Sequence, residues 1–144
     1  MKHKVKNINM MVKVIKDCRE HKEIGTPNRV WSTYFSYALN ELEKGSMLVS
    51  EAVKENPNQR FIREHTVPFR ILRDKLMGIK NVDFESVSNI LNQFHVVTKI
   101  TYEEDQKLKE NGLNLEMPKD WDGENPFARY ESVGITIYQE LESS

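Results

Sequence analysis

The sequence predicts an α+β fold dominated by helices, with about six or seven helices and a small sheet of two or three strands. Two observations favour it. Apolar residues recur at intervals of three and four along most of the chain, which is the helical period. A short β-branched run at residues 95–100 (His-Val-Val-Thr-Lys-Ile) interrupts this pattern and is typical of a buried strand. Because 144 residues is the length of one ordinary domain, residues 1–144 are predicted to form a single globular domain.

The first two elements are predicted to be helices. Residues 5–19 carry apolar side chains at helical spacing, and the turn residues 25–27 (Gly-Thr-Pro) end this helix and start the next. The second helix has the most aromatic face of the chain and ends at Gly45. Such a face favours core packing, with a base-stacking surface as the alternative. Its residues are Trp31, Tyr34, Phe35, Ala38 and Leu42.

The middle of the chain alternates between helical and extended segments. Ser46 is predicted to cap a short helix that reaches Val53. Residues 61–67 are predicted to be at least partly extended, because the residue before a proline is excluded from the helical region. Pro68 then starts a further helix, and Asp83 caps the one after it.

The C-terminal third begins with the predicted strand and returns to helix. Thr101 and Glu104 have the spacing of a capping box, so a helix should follow directly. Pro126 opens a last short helix that ends at Gly134, where glycine can supply the reversed backbone of a helix terminus. Residues 135–138 are expected to pair with the strand at 96–100.

The net charge of −1 conceals a strong asymmetry along the chain. Residues 1–22 have a balance of +5, residues 60–80 a balance of +4, and residues 101–144 a balance of −7. If the two basic segments met on one face, they would form a footprint for nucleic-acid phosphates. The alternative is that the acidic third packs beside the basic segments and cancels their charge locally. The acidic end equally suits docking onto a basic protein surface.

Composition favours a cytoplasmic protein that does not enter a membrane. We find no apolar run near the roughly 18 residues that cross a bilayer, and no secretory signal after the basic N-terminus. The one cysteine, Cys18, lies in an apolar helical stripe and is predicted to be a buried hydrophobe rather than a nucleophile.

One segment has side chains suited to acid–base chemistry. Residues 60–68 (Arg-Phe-Ile-Arg-Glu-His-Thr-Val-Pro) place His65 beside Glu64, with Arg60 and Arg63 upstream. Imidazole titrates near neutral pH, and a neighbouring carboxylate or guanidinium can tune it. We therefore take His65, Arg60 and Glu64 as the candidate catalytic residues. A histidine that holds a loop by hydrogen bonds is the alternative.

Three arginines are candidate binding residues: Arg63 and Arg70 in the basic segment, and Arg129 near the C-terminus. Convergence of His65, Glu104 and Arg129 in one cleft would favour catalysis, whereas scattered positions would argue against it. The sequence predicts no metal site and no cofactor.

Two nuclease families resemble this segment. Arg60 and His65 have the R-x4-H spacing of HEPN ribonucleases, a family that is all-helical and usually dimeric. That resemblance implies that the arginine stabilises the phosphate and that the histidine supports acid–base catalysis. Residues 64–68 (Glu-His-Thr-Val-Pro) resemble the entry strand of HNH nucleases, which implies that His65 activates water near one divalent metal ion and that Glu64 can ligate it. The Gly-rich hairpin and the later Asn-His pair of the HNH pattern are absent from the sequence.

A broader likeness spans roughly residues 60–135. The segments at 64–68, 100–105 (Ile-Thr-Tyr-Glu-Glu-Asp), 117–118 (Met-Pro), 128–130 (Ala-Arg-Tyr) and 134–135 (Gly-Ile) resemble, in the same order, small uncharacterised proteins of bacteria and their phages. This resemblance implies no activity. It does imply that His65 and Arg129 belong to one domain.

The leading functional hypothesis is a small interaction or regulatory protein of a bacterium or its mobile elements, which acts by binding a macromolecule, most readily a protein. One alternative is a nuclease, HNH-like or HEPN-like, that uses His65, with a divalent metal only in the HNH-like case. Another is a non-catalytic nucleic-acid-binding module that uses residues 1–22 and 60–80. A homodimer is compatible with each hypothesis.

Overall fold

The computed structural model describes residues 3–42 and 47–140. Within these residues the chain forms seven helices and a four-stranded mixed sheet, so the predicted helix-dominated α+β class is confirmed, with one or two more strands than expected. The chain divides into two compact units. The first unit is Met1–Gly45 with Leu72–Gln93, and the second is Ser46–Ile71 with Phe94–Ser144. That residues 1–144 form one domain stays a prediction.

The first unit consists mainly of helices. Helix α1 (Val5–Glu23) packs against α2 (Asn28–Asn40), and most of α4 (Phe69–Met77) and of α5 (Phe84–Phe94) also belongs to this unit. The Asp83 carboxylate caps α5 by accepting a hydrogen bond from the Ser86 amide at 2.8 Å, as predicted. Fully or almost fully buried apolar side chains form its interior: Ile8, Met11, Val14, Ile15, Cys18, Trp31, Phe35, Leu39, Leu72, Leu76, Val87 and Leu91.

The aromatic face predicted for α2 is partly wrong. Trp31, Phe35 and Leu42 are buried, whereas Tyr34 is 38% exposed. Tyr34 lies at the margin of the buried face beside α1, where its hydroxyl donates to the Asp17 carboxylate at 2.9 Å instead of entering the core. The helix end predicted at Gly45 lies outside the described residues, as does the cap predicted at Ser46.

The second unit contains the sheet. Its strands are β1 (Leu48–Ser50), β2 (Ile62–His65), β3 (Val97–Ile100) and β4 (Ile137–Gln139), in the spatial order β2-β3-β1-β4. Strands β1 and β3 are parallel, and the two outer pairs are antiparallel. The helices of this unit are α3 (Glu51–Glu55), α6 (Tyr102–Glu110) and α7 (Ala128–Ser132).

Two predictions in this unit are corrected. The short helix expected from Ser46 begins only at Glu51, because Ser50 is the residue whose hydroxyl caps it, accepting from the Val53 amide at 3.3 Å. The residues before it form β1 instead. As a consequence, β4 pairs with β1 and not with the strand at 96–100, which β1 separates from it.

The capping box predicted at the start of α6 is confirmed. The Thr101 hydroxyl accepts from the Glu104 amide at 3.1 Å, and the Glu104 carboxylate accepts from the Thr101 amide at 2.9 Å. After the other end of α6, Gly112 has a φ of 69°, which lets the Leu113 amide turn back to the Leu108 carbonyl at 2.8 Å. This motif fixes the position of Leu113, whose carbonyl meets the site described below.

One face of the sheet covers the core of the second unit. Because side chains alternate along a strand and paired residues share a face, Ile62, Glu64, Thr98 and Ile100 point to the same side. The apolar cluster there contains Ile100, Leu108, Leu113, Tyr130, Val133 and Ile135. Among the residues that the structure describes, no helix is long and apolar enough to span a membrane.

Candidate functional site

A buried ionic cluster lies under the core face of the sheet. The Glu64 carboxylate accepts hydrogen bonds from the Arg129 guanidinium at 3.0 and 3.3 Å and from the Tyr130 hydroxyl at 2.5 Å. The Arg129 side chain is 1% exposed and that of Glu64 is 14% exposed. Strand β2 supplies the carboxylate, and helix α7 supplies both donors. The cluster therefore joins two elements that are far apart in sequence.

The guanidinium of Arg129 also binds backbone carbonyl groups. It donates to the carbonyl oxygens of His65 at 2.6 Å, of Thr66 at 2.9 Å and of Leu113 at 2.7 Å. A guanidinium has five N–H donors in a planar fork, and this arrangement engages its three nitrogens. With its donors directed inward, Arg129 holds the end of β2, α7 and the turn after α6 together.

Tyr130 completes the cluster as a neutral donor. Burial, with the charge and hydrogen bond of Glu64 adding to it, raises the pKa of the Tyr130 phenol well above its ordinary value. The phenol therefore stays protonated at neutral pH. One carboxylate, one guanidinium and one neutral phenol give a group of side chains without net charge, which suits a buried position.

His65 is separated from Glu64 although the two residues are neighbours in sequence. Both lie on β2, where consecutive side chains point to opposite faces of the sheet, so the imidazole and the carboxylate do not meet. The His65 ring lies 6.0 Å from that of His95, which is 2% exposed, and 6.5 Å from that of Phe69. The hydrogen bond between His65 and Arg129 uses the His65 carbonyl and not the ring.

The other predicted arginines are not brought into the cluster. Arg60 is exposed just before β2, Arg63 is exposed on β2 opposite Lys99, and Arg70 is exposed in the first turn of α4. Of the two residues in the R-x4-H spacing, Arg60 thus lies just before β2 and His65 lies within it. Of the six candidate residues, the structure joins Glu64 and Arg129 through their side chains.

Glu104 belongs to a different group of polar side chains. Its carboxylate accepts from the Ser50 hydroxyl at 2.6 Å and from the Thr101 amide, where it completes the helix cap. Glu104 is thus bound by Ser50 and the α6 cap, whereas Arg129 is bound to Glu64. The described residues contain no group of three or more His, Cys, Asp or Glu side chains placed to hold a metal ion.

A groove of about 490 Å³ runs beside β4, and the sequence did not indicate it. Phe127, which packs on the core cluster, lies beside it, and Glu131 supplies a carboxylate at its rim. The turn at Gly134, whose φ is 76°, carries the chain from α7 into β4 and so shapes one end of the groove. Its apolar lining residues are Leu48, Phe127, Ile135 and Ile137.

The backbone of β4 is paired on one side. The Glu51 amide donates to the Thr136 carbonyl at 2.9 Å, and the Glu140 amide donates to the Met47 carbonyl at 3.1 Å. Bonded and non-bonded positions alternate in an antiparallel pair, so the amide and carbonyl groups of Ile137 and Gln139 point away from β1. Within residues 3–42 and 47–140, β4 is the last strand of the sheet in this direction, and it presents these groups at an edge.

At the opposite edge of the sheet, a buried side chain binds one of the outward backbone groups. The same alternation makes the backbone of Arg63 and His65 point outward from β2, and there the His65 carbonyl accepts from Arg129. The two edges of this sheet therefore differ: a buried arginine binds the His65 carbonyl at the end of β2, whereas a mostly apolar groove adjoins the β4 edge.

The groove belongs to an acidic unit. The second unit contains nine Lys and Arg against fourteen Asp and Glu, a balance of −5, while the first unit contains twelve against eight, a balance of +4. The asymmetry seen along the sequence is thus partly a difference between the two units, although residues 60–71 of the basic segment 60–80 belong to the acidic second unit.

Comparison of the chain with protein-family models, with curated proteins and with solved structures gave no significant match.

Proposed function

We propose that this chain is a non-enzymatic interaction protein that binds an extended segment of another protein along strand β4. The observation that carries the proposal is the combination of an outward-facing strand edge with a groove of about 490 Å³ directly beside it. Proteins that recognise peptides by strand addition use the edge for main-chain hydrogen bonds and the adjacent pockets for side chains.

The geometry allows both kinds of contact. A bound strand would pair with the outward amide and carbonyl groups of Ile137 and Gln139, and alternate side chains of that strand would face the groove. Since the lining is mainly apolar, the side chain that enters it should be aliphatic or aromatic. A single apolar anchor in such a pocket typically supplies much of the binding energy.

Charge favours a basic partner segment. The second unit has a balance of −5, and the Glu131 carboxylate lies at the groove itself. Lysine or arginine residues next to the apolar anchor would be attracted to this surface and would accelerate association. The same charge disfavours pairing of β4 with the β4 of a second copy.

The arrangement of the predicted catalytic residues supports an interaction protein over a nuclease. Glu64 is engaged by Arg129 and Tyr130 on one face of the sheet, and His65 lies on the other face. An arginine that is 1% exposed has no surface with which to contact a phosphate. A general acid–base pair needs both groups within reach of one substrate.

A nucleic-acid partner has weaker support. The exposed face of α1 carries Lys6, Lys13 and Lys16 within the basic first unit, as a phosphate-binding surface would. However, Lys13 pairs with Asp17 at 2.9 Å. The pKa of Asp83 is lowered, chiefly by hydrogen bonds from Ser86 and in part by the charge of Lys16, so Lys16 also has an acidic neighbour. This local cancellation reduces the charge available for phosphates.

The proposal is tested with peptides selected on the full chain from a displayed library of random short sequences. Selected peptides are resynthesised, and their affinity is measured by fluorescence anisotropy. We expect peptides with basic residues around one apolar residue, and we expect Gln139→Pro, which removes an outward N–H, to weaken binding about tenfold or more, ~1.4 kcal/mol. Gln139→Thr keeps the N–H and is the matched control.

Methylation of the peptide amides provides an independent check of strand addition. Methyl groups at alternate amides that face β4 should abolish binding, whereas methyl groups at the intervening amides should leave it intact. If Gln139→Pro binds as well as Gln139→Thr, or if both sets of methylated peptides behave alike, binding does not use this edge and the proposal is wrong.

A further inference from the structure

The side chains of β4 point to two different faces of the sheet. Ile137 and Gln139 lie on the face that carries the core cluster, and Ile137 lines the groove. Because side chains alternate along a strand, Tyr138 points to the opposite face, which we call the outer face. The residues paired across the outer face are Arg63, Lys99, Val49 and Tyr138, in that order from β2 to β4.

A lysine ammonium group is held beside Tyr138 on the outer face. The Lys54 Nζ atom lies 4.0 Å from the centroid of the Tyr138 ring, which is the distance of a cation–π contact. Lys54 is an exposed residue of α3, a helix that contacts β1, β3 and β4. Among the residues that the structure describes, no carboxylate forms an ion pair with Lys54, although Glu51 and Glu55 belong to the same helix. The positive charge at the β4 edge is therefore available to a partner.

The acidic residue nearest to Tyr138 along the strand is already neutralised. Glu140 follows Tyr138 by two positions, so both side chains point to the outer face. The Glu140 carboxylate forms an ion pair with the Lys99 ammonium at 2.5 Å. With this pair neutral, Lys54 makes the outer face positive next to β4, although the second unit as a whole has a balance of −5.

An antiparallel strand added to β4 would bring one of its side chains close to Lys54. The amide and carbonyl groups of Ile137 and Gln139 point outward, so the partner residues opposite them would form the hydrogen-bonded pairs. The partner residue opposite Tyr138 would then form a non-hydrogen-bonded pair, in which the Cα atoms are only about 4.5 Å apart and the side chains are closest. Its side chain would share the outer face with Tyr138 and Lys54.

We infer that the partner segment carries an aspartate or glutamate directly before its apolar anchor, and that Lys54 selects this residue. The inference rests on the strand addition proposed above. If the anchor lies opposite Ile137 and enters the groove, the preceding residue of an antiparallel strand lies opposite Tyr138. Oppositely charged side chains across a strand pair attract each other, and the cation–π contact keeps the ammonium in position.

This contact is compatible with a partner that is basic overall. Attraction between a basic segment and the acidic unit acts over the whole surface, whereas Lys54 concerns one position of the bound strand. The groove and Lys54 lie on opposite faces, so two adjacent partner residues are recognised from two sides. An apolar side chain alone fits many sequences, and the adjacent acidic residue narrows that choice.

The inference is tested with peptides that bind the full chain and lose affinity for Gln139→Pro. Each peptide is resynthesised with Glu, Gln or Lys directly before the anchor, and its affinity is measured by fluorescence anisotropy. On the wild type we expect Glu to bind about threefold more tightly than Gln, and Lys to bind most weakly. On Lys54→Gln the Glu and Gln peptides should bind alike, and Lys54→Glu should reverse the order so that the Lys peptide binds best.

Two matched controls separate this contact from a general effect of charge. Lys107→Glu makes the same charge change at an exposed lysine of α6 that does not line the groove, and it should keep the wild-type order of the three peptides. In the peptide, a glutamate directly after the anchor would face Thr136 instead of Tyr138, so it should bind no better than glutamine at that position.

The outcomes distinguish this inference from the function on which it rests. If the Glu and Gln peptides bind the wild type equally, or if Glu is preferred equally on Lys54→Gln, the inference is wrong while sensitivity to Gln139→Pro still supports strand addition. A preference for glutamate only after the anchor also overturns it. If the selected peptides bind Gln139→Pro as well as they bind the wild type, strand addition itself is wrong, and the inference fails with it.

Discussion

Replacement of Arg129 by leucine tests whether the buried ionic cluster stabilises the second unit. The substitution removes the hydrogen bonds from the guanidinium to Glu64 and to the carbonyl oxygens of His65, Thr66 and Leu113. The Glu64 carboxylate, 14% exposed, would keep its bond from the Tyr130 hydroxyl but lose its counter-ion. Loss of one partner from a buried ion pair typically costs about 3–5 kcal/mol.

We expect Arg129→Leu to lower the free energy of unfolding by about 3–5 kcal/mol, a large part of the ~5–15 kcal/mol by which ordinary domains are stable. Removal of both charges in Glu64→Leu/Arg129→Leu should recover at least about half of that loss, since no uncompensated carboxylate remains. Arg63→Leu, which changes an exposed arginine on the same strand, is the control and should stay within about 0.5 kcal/mol of the wild type.

Urea unfolding followed by tryptophan fluorescence measures these differences for the second unit. Trp31 lies in the first unit and Trp121 in the second, so a Trp31→Phe background leaves Trp121 as the reporter. The Trp121 indole donates to the Asn125 carbonyl at 2.8 Å and lies edge-on to Phe94, so unfolding changes its surroundings. A loss below about 1 kcal/mol for Arg129→Leu, or a double variant no more stable than the single, would refute the reasoning.

Four further outcomes are expected. Burial and Glu64 raise the pKa of Tyr130, so the folded protein favours the neutral phenol. The free energy of unfolding should therefore be constant below the ordinary tyrosine pKa of about 10 and should fall as the pH rises beyond it. Tyr130→Phe should make this alkaline fall shallower in urea titrations at a series of pH values. Burial raises the pKa of the Cys18 thiol to about 11, so a disulfide reagent at pH near 8 should label it slowly in the native protein and rapidly in urea; rapid native labelling would contradict its burial. Thr101→Ala should lower stability by about 1 kcal/mol through loss of the α6 cap, and equal loss in the exposed control Thr33→Ala would count against this cause. Wild-type protein incubated with RNA or DNA and Mg²⁺ should leave them intact; cleavage that His65→Ala abolishes would favour a nuclease over an interaction protein.

The features that the sequence predicted well are local ones. The capping box of Thr101 and Glu104, the cap at Asp83 and the turn at Gly134 depend on residues three or four positions apart, and their geometry follows from side-chain chemistry alone. The helix-dominated α+β class followed from periodicity in the same way.

The features that it missed depend on long-range pairing. Strand β1 is three residues long and lies next to a serine cap, so a helical interpretation of the segment was equally consistent with its pattern. Because β1 was not predicted, no predicted strand could be placed between β3 and β4 in the sheet. The Glu64–Arg129 pair spans 65 positions, a distance at which residue types alone select no partner.

The separation of Glu64 from His65 could have been anticipated. Residues 61–67 were predicted to be extended, and the period of two in a strand places adjacent side chains on opposite faces. The hypothesis of a paired carboxylate and imidazole depended on proximity in sequence and conflicted with that strand.

Because Glu64, Arg129 and Tyr130 satisfy one another, natural selection should act on them as a set. Relatives that replace Glu64 with a neutral side chain are expected to replace Arg129 as well, since a buried guanidinium without its counter-ion lowers stability. Across the sheet, His65 is under no such constraint from Glu64. The adjacent glutamate and histidine should therefore vary independently during evolution, whereas residues 64 and 129 should change together.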